Sequence, residues 1–262
     1  MTIFEAIVLG ILQGFTEFLP VSSSGHLLLL QRMFGLEEGL LTFSIMVHIA
    51  TLIPVLFVYY SRIKSLVKNP FQKMTLLLIL GTLPTVIAAL IFGSLIDELF
   101  TGNYLALGFI VTGIILVITD RYKDGLKNTD KITGKDAFFV GLTQAVAIMP
   151  GISRSGSTIF GAVVRGVDRK SAVNFSFLLS IPAIAGATVL EIRQILVGYT
   201  DLDFIFTAPV IIGFFAAMIS GYLAIKLMLK IVAASKLSYF AYYLIIVAIL
   251  ILVDQHFTNI VF

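Results

Sequence analysis

Six stretches of about 20 residues are long and apolar enough to cross a lipid bilayer as α-helices. They are residues 40–60, 74–96, 104–119, 171–190, 204–229 and 238–256. Only 13% of the chain is charged, against roughly 25% in a soluble domain, so soluble helices with one polar face cannot account for these stretches. We therefore expect an all-α integral membrane protein that forms a single membrane domain, residues 1–262.

Two further apolar regions, residues 3–34 and 136–165, are interrupted in the middle by proline and by a cluster of serine and glycine. Proline and glycine end or kink a helix, so neither region is expected to form one straight helix. Each is better explained as a re-entrant hairpin of two half-helices. Because no lysine or arginine precedes Arg32, we expect the first hairpin to remain in the mature protein and not to be a removable signal peptide.

The two interrupted regions are similar to each other in sequence. A shift of 131 positions aligns residues 6–26 with residues 137–157 without a gap, and six of the 21 aligned positions are identical. The identical pairs are Ala6/Ala137, Gly10/Gly141, Gln13/Gln144, Ser22/Ser153, Ser24/Ser155 and Gly25/Gly156. The pattern predicts a repeat of about 1–130 and a second of about 131–262. Each would contain one hairpin and three crossings, and an odd number of crossings inverts the second repeat in the membrane.

The basic residues predict how the protein is oriented in the membrane. With these spans, fifteen lysines and arginines fall on one side and two, Arg32 and Arg193, on the other. The fifteen are Arg62, Lys64, Lys68, Lys73, Arg121, Lys123, Lys127, Lys131, Lys135, Arg165, Arg169, Lys170, Lys226, Lys230 and Lys236. Cytoplasmic loops carry the excess of positive charge. Both termini and the mouth of the first hairpin are therefore predicted outside.

The remaining basic residue, Arg154, lies at the break of the second hairpin, where a charge in the membrane indicates a functional partner. Glu17 occupies the corresponding part of the first hairpin. An ion pair that merely ties the two hairpins together is one interpretation, but it does not explain the many hydroxyl groups around the breaks. These are Ser22, Ser23, Ser24, Ser153, Ser155, Ser157 and Thr158. Helix N-termini with serine turns and an arginine suit a phosphate.

A carboxylate does not bind an anion directly, so Glu17 should have another role. It could hold a divalent cation together with Gln13, which lies four residues earlier on the same helical face, or act as a general base. His26 could transfer a proton or attack phosphorus itself. His48, a single histidine in an apolar helix, is interpreted as a packing residue.

The stretches "QGFTEFLPVSSSGH" (13–26) and "PGISRSGST" (150–158) resemble the two motifs of the bacterial undecaprenyl-pyrophosphate phosphatases of the bacitracin-resistance type. The resemblance implies hydrolysis of a polyprenyl pyrophosphate lipid to the monophosphate, which recycles the carrier for peptidoglycan synthesis. It also implies a divalent cation, Mg²⁺ or Ca²⁺, and a place in the bacterial plasma membrane. The matching positions are Gln13, Glu17, Ser23, His26, Ser153, Arg154, Ser155 and Thr158. Gln13 stands where the family motif also allows an acid, which weakens any site built from two carboxylates.

Two hypotheses follow. In the first, Arg154 and the half-helix N–H groups hold the pyrophosphate, Glu17 binds the cation, and either Ser23 or His26 attacks the terminal phosphorus. The site would open to the outer face. In the second, the inverted repeat forms a lipid-phosphate transporter or flippase, although Glu17, Ser23 and His26 align with Ile148, Arg154 and Ser157, an asymmetry that a symmetric carrier would not need. The sequence predicts contact with membrane lipids and no nucleic-acid partner, and it leaves open whether the protein is a homodimer.

Overall fold

The computed structural model describes residues 1–36, 40–194, 205–233 and 237–262, and within them the fold is built of helices joined by turns and loops, with no strands. Its α-helices are α1 (Ile3–Phe18), α2 (Ser23–Met33), α3 (Leu40–Val58), α4 (Tyr60–Lys68), α5 (Lys73–Leu99), α6 (Leu105–Arg121), α7 (Gly134–Val146), α8 (Arg154–Val164), α9 (Arg169–Gln194), α10 (Ala208–Ala233) and α11 (Ser238–Val253). The first residue of the span predicted at 204–229 lies outside the described residues, and so does Lys236, one of the residues predicted to be cytoplasmic.

Five of the described helices are long and apolar enough to cross a membrane: α3, α5, α9, α10 and α11. These five coincide with five of the six predicted spans, so the protein is a multi-pass membrane protein. The sixth predicted span, residues 104–119, is also helical, but α6 has only 17 residues. Its crossing of the bilayer stays a prediction.

Both interrupted regions consist of two short helices, α1 with α2 and α7 with α8, as the proline and serine clusters predicted. The two pairs also begin and end alike. Thr2 and Thr133, 131 positions apart, each form a capping box at the start of α1 and α7. Ser22 and Ser153, again 131 apart, cap the N-termini of α2 and α8. The same local signals therefore set the helix boundaries in both regions.

The second helix of each short pair is followed by a glycine with a left-handed backbone, Gly35 (φ 63°) after α2 and Gly166 (φ 80°) after α8. These glycines are also 131 positions apart. A residue with a side chain is strained in this conformation, whereas glycine adopts it freely and so ends the helix.

Close backbone packing joins each short pair to a long helix from the other half of the chain. A Cβ atom placed on Gly10 of α1 would lie 2.3 Å from the Gly213 carbonyl oxygen of α10. A Cβ placed on Gly141 of α7 would lie 2.4 Å from the Gly81 carbonyl oxygen of α5. Only glycine permits such an approach. The two halves of the chain are therefore interlocked and do not fold side by side as separate units.

A cluster around Asp136 joins α7, α8 and the preceding loop at the side predicted to be cytoplasmic. The carboxylate accepts hydrogen bonds from the Thr133 N–H and hydroxyl at 3.0 and 2.8 Å. Lys127 Nζ and Arg165 Nε donate to it at 3.0 and 2.9 Å. Burial alone would raise the pKa of Asp136, but these hydrogen bonds outweigh it and lower the pKa from 3.8 to about 2. The ionised carboxylate is thus the form that stabilises this junction.

The lowered pKa predicts how stability depends on pH. Because the folded pKa lies below the unfolded one, the contribution of Asp136 is present above pH 3.8 and is lost as the pH falls towards 2. Thermal unfolding in detergent, followed by circular dichroism, should show a lower Tm for Asp136→Asn than for the wild type at pH 6. The difference should shrink steadily below pH 4. The control Asp130→Asn, an exposed aspartate of the same loop region, should change Tm little at either pH; a constant difference for Asp136→Asn would contradict the assignment.

Candidate active site

An ion pair connects the two breaks. Arg154 Nη2, in the first turn of α8, donates to Glu17 Oε1, in the last turn of α1, at 2.5 Å. The two side chains are 16% and 6% exposed. Ser155 Oγ adds a hydrogen bond to the Leu19 carbonyl at 3.0 Å. The structure therefore brings the predicted partners together, since each buried charge needs the other.

The second carboxylate oxygen of Glu17 accepts a hydrogen bond from a serine. Ser23 Oγ, at the first residue of α2, donates to Glu17 Oε2 at 2.6 Å. Gln13 Nε2, one turn before Glu17 on α1, donates to the same oxygen at 3.1 Å. A carboxylate at this distance can accept the proton of a serine that attacks an electrophile. This hydrogen bond is the contact that a serine nucleophile and its base would need, and the catalytic roles of the two residues stay a prediction.

These groups face a cavity of about 230 Å³. Its polar wall consists of Glu17, Ser22, Ser23, Ser24, His48 and Arg154. Its other wall consists of Phe100, Ala147, Ile148, Ile152, Ala183, Ile184, Ala187 and Thr188. Ile148 is the residue that aligns with Glu17 in the second half of the chain. The cavity thus has one wall for a charged group and one for an apolar group.

Helix N-termini add to the polar wall. The first N–H groups of an α-helix lack partners within the helix and carry a partial positive charge. Ser23 and Ser24, which line the cavity, are the first two residues of α2, and Arg154 is the first residue of α8. Arg154 Nη1 is buried and has no hydrogen-bond partner among the residues that the structure describes. Unused donors of this kind suit an anion.

Three of the predicted phosphate-binding residues turn away from this cavity. Ser153 Oγ accepts from the Gly156 N–H at 3.1 Å, and Ser155 Oγ donates to Leu19 as described. Thr158 Oγ1 donates to the Arg154 carbonyl at 2.9 Å. All three stabilise the start of α8 and the junction of the breaks, and a direct contact with phosphate stays a prediction for them.

His26 also lies apart from the cavity. Its Nδ1 is 2.8 Å from the Ser22 carbonyl oxygen, and its Nε2 is 2.8 Å from the Tyr243 hydroxyl of α11. The ring packs against Phe109 of α6 and stacks on Tyr243. The side chain is buried, with 2% of the residue exposed. The predicted role of His26 in the chemistry stays a prediction, and the geometry gives it structural partners.

The interpretation of His48 as a packing residue missed its position at the site. His48 Nδ1 is 2.7 Å from the Ser44 carbonyl oxygen, which leaves Nε2 directed towards Glu17 Oε2 at 3.8 Å. Its side chain is 24% exposed and lines the cavity. The available signal was the pair of polar residues Ser44 and His48, one helical turn apart in a mostly apolar span.

The residues present fit a divalent cation only in part. Gln13 Oε1 is buried and has no hydrogen-bond partner in the structure, so an uncharged oxygen ligand is available beside the Glu17 carboxylate. The described residues contain no group of three histidine, cysteine or acidic side chains that could hold a metal ion. Mg²⁺ is commonly held by one or two carboxylates together with substrate phosphates. A cation therefore fits here with phosphate oxygens as additional ligands.

The described structure is that of a multi-pass helical membrane protein in which a buried glutamate, a half-buried arginine and a half-buried serine line one cavity, an arrangement that suits an anionic group. The comparison with known sequences assigns it more closely. The profile of the family described as "Bacitracin resistance protein BacA" matches residues 6–250. The chain belongs to this family, which confirms the resemblance found in the two motifs.

Individual relatives agree with the assignment. The chain is 50% identical to the undecaprenyl-diphosphatase of Carboxydothermus hydrogenoformans, over 97% of this chain and 98% of that protein. It is 44% identical to undecaprenyl-diphosphatase 4 of Bacillus cereus, over 99% of this chain and 100% of that protein. It is 40% identical to the undecaprenyl-diphosphatase of Halothermothrix orenii, over 97% and 98% of the two chains. The similarity thus covers nearly the whole molecule.

The buried ion pair predicts a strong energetic coupling. Arg154→Met should lower the free energy of unfolding by about 3 kcal/mol, because the Glu17 carboxylate would then be buried without its cation. Glu17→Gln combined with Arg154→Met should cost less than the sum of the two single substitutions. Chemical unfolding in detergent, followed by circular dichroism, measures all four proteins. Additive effects would show that the pair is not coupled in solution.

Proposed function

We propose that this protein is an undecaprenyl-diphosphate phosphatase, which hydrolyses undecaprenyl pyrophosphate to undecaprenyl phosphate and inorganic phosphate. The observation that carries the proposal is the hydrogen bond from Ser23 Oγ to Glu17 Oε2, 2.6 Å long, beside the guanidinium of Arg154. The names of the relatives support the same activity. The reaction regenerates the lipid carrier of peptidoglycan synthesis, and this recycling would explain the bacitracin resistance in the family's name.

Arg154 and the N-terminus of α2 would bind the terminal phosphate. The unpartnered Nη1 of Arg154 offers a donor that the ion pair with Glu17 does not use. The first N–H groups of α2 favour negative charge at the same wall. Ser22 and Ser24 line this wall and offer hydroxyl donors. The pyrophosphate would thereby be placed with its terminal phosphorus against Ser23.

In the first step, Ser23 Oγ attacks the terminal phosphorus while Glu17 accepts its proton. The bond between this phosphorus and the bridging oxygen breaks, and undecaprenyl phosphate leaves with the bonding electrons. In the second step, water attacks the phosphorus of the phosphorylated Ser23, and the bond between this phosphorus and Ser23 Oγ breaks with its electrons left on Oγ. Glu17 returns its proton to Ser23 Oγ, and the protons of water remain with inorganic phosphate or pass to solvent. Arg154 offsets the negative charge that spreads over the phosphoryl oxygens in both steps.

Ser23 is the better of the two predicted nucleophiles. It lines the cavity and contacts a carboxylate, whereas both ring nitrogens of His26 are engaged by Ser22 and Tyr243. A nucleophile needs a base within hydrogen-bond reach and a path to the substrate. We therefore assign the attack to Ser23.

Gln13 and Glu17 would hold the divalent cation, Mg²⁺ or Ca²⁺, together with the phosphates. When bound, such a cation supplies positive charge that offsets the charge of the pyrophosphate. The apolar wall of the cavity, with Ala183, Ile184 and Ala187 of α9, would accept the beginning of the polyprenyl chain.

Phosphate release from undecaprenyl pyrophosphate by the purified protein in detergent, with Mg²⁺ or Ca²⁺, tests the activity. Ser23→Ala and Glu17→Gln should each lower kcat by at least about 100-fold, because they remove the nucleophile or its base. Ser180→Ala is the matched control, since this buried serine donates to the Phe177 carbonyl and does not line the cavity. Its activity should stay near that of the wild type.

Detection of a covalent intermediate tests the proposed mechanism independently of phosphate release. Rapid quenching followed by mass spectrometry should find phosphate on the peptide that contains Ser23 and nowhere in the Ser23→Ala protein. If the well-folded wild type releases no phosphate with either cation, the enzyme proposal is refuted. The lipid-phosphate transporter would then be the better hypothesis.

The same proposal includes an inverted arrangement of the two halves, with the site open to the outer face and both termini outside. The three pairs of helix caps 131 positions apart support the duplication. The reciprocal glycine contacts, Gly10 with Gly213 and Gly141 with Gly81, support it too, because equivalent helices exchange partners between the halves. The charge asymmetry supports the orientation in a bacterial plasma membrane.

The absence of cysteine allows a direct test of this topology with single cysteines. Phe4 and Lys135 are both exposed, lie at equivalent places at the start of α1 and α7, and are 131 positions apart. In intact cells, a membrane-impermeant maleimide should label Phe4→Cys from outside. It should label Lys135→Cys only after the membrane is opened. Labelling of both from the same side would refute the inverted arrangement.

A further inference from the structure

Ser22, directly before Ser23, has an unusual backbone. Its φ is 71° and its ψ is 100°, a combination that residues with a side chain rarely adopt. The residue is 3% exposed, so the conformation is enclosed by the protein and is not a feature of a free loop. Backbone strain of this kind persists only where the surroundings impose it, and it is concentrated at functional sites.

The second half of the chain provides an internal comparison. Ser153, 131 positions after Ser22, also caps a helix by accepting a hydrogen bond from the glycine three residues later. Its backbone is relaxed, with a φ of −73° and a ψ of 120°. Helix capping by serine therefore does not require the strain. Something specific to the first half imposes it at Ser22.

One difference between the two breaks lies four residues after the cap, where the first has His26 and the second has Ser157. His26 Nδ1–H donates to the Ser22 carbonyl at 2.8 Å, since a carbonyl oxygen only accepts. Ser157 Oγ, in contrast, is buried without a hydrogen-bond partner in the structure. The strained carbonyl thus has a side-chain donor, and the relaxed one has no equivalent.

Tyr243 holds the histidine in place. The Tyr243 hydroxyl is 2.8 Å from His26 Nε2, and the two rings are stacked with their planes 13° apart. With Nδ1 carrying the proton for Ser22, Nε2 of the neutral ring accepts from the hydroxyl. The Ser22 carbonyl thus fixes the tautomer of the imidazole, and the tyrosine of α11 holds its orientation.

We propose that Tyr243 and His26 are positioning residues that hold Ser22 in its strained conformation and so aim Ser23 Oγ at Glu17. The inference rests on the proposed phosphatase function, in which Ser23 is the nucleophile. His26 contributes through the backbone and not as an acid, a base or a nucleophile. The relaxed Ser153 precedes Arg154, whose long side chain reaches Glu17 without such help.

Replacing Ser22 by glycine provides the test. Glycine adopts a positive φ without strain, and it is also an acceptable helix cap. We expect His26→Ala to lower kcat for undecaprenyl pyrophosphate by at least about 50-fold, with KM changed less than about three-fold. Tyr243→Phe should lower kcat by about five-fold. In a Ser22→Gly background, His26→Ala should lower kcat by less than about five-fold and Tyr243→Phe by less than about two-fold. Both values are relative to Ser22→Gly alone.

Tyr242→Phe is the matched control for the tyrosine, since Tyr242 is the neighbouring tyrosine on α11 and is exposed as Tyr243 is, whereas the contacts with His26 are made by Tyr243; it should leave kcat unchanged in both backgrounds. Thermal unfolding of each variant separates loss of positioning from loss of folding. A folded His26→Ala protein that is equally impaired with and without Ser22→Gly would overturn the inference, because a chemical role for His26 gives that result. Full activity of His26→Ala would overturn it as well. An inactive wild type would instead refute the phosphatase function itself.

Discussion

The ion pair between Glu17 and Arg154 is the interaction on which the rest of the site depends. A glutamate or an arginine alone would be costly at this depth, because the surrounding helices and lipid cannot solvate it. Together they compensate each other, and the pair joins residues that lie 137 positions apart in sequence. The pair also leaves one carboxylate oxygen for Ser23 and one guanidinium nitrogen without a partner. Stability and chemistry are thus derived from the same two side chains.

The two halves of the chain share their framework but differ in their chemistry. The helix caps and glycine contacts recur with the same spacing, whereas Glu17, Ser23 and His26 of the first break are replaced by Ile148, Arg154 and Ser157 in the second. In the proposed mechanism, the first break activates a hydroxyl and the second supplies a positive charge. This division suits an enzyme that must both hold an anion and attack it.

Much of the architecture and part of the site could be predicted from the sequence, because they follow from local rules. Hydropathy located the long helices, proline and serine located the breaks, and the cost of an unpaired buried charge indicated that Arg154 needs Glu17. The positions of His48 and Tyr243 could not be predicted in this way. Each lies in a mostly apolar helix, and whether its polar group faces lipid, the core or a cavity depends on helix rotations set by long-range packing. For the same reason, the sequence could not show that Ser153, Ser155 and Thr158 form hydrogen bonds within the protein.

The exchange of partners between the halves also determines the order in which the molecule can be assembled. When α1 leaves the ribosome, the helix that Gly10 must contact, Ala208–Ala233, has not yet been synthesised. Until then, Glu17 lacks its partner Arg154, and α1 lacks α10, the helix that packs against it. The nascent chain must keep this hairpin near water or within the insertion machinery, and final docking waits for the second half to enter the membrane. For this fold, membrane insertion and folding are therefore separate events in time, and the site exists only after the last long helices have arrived.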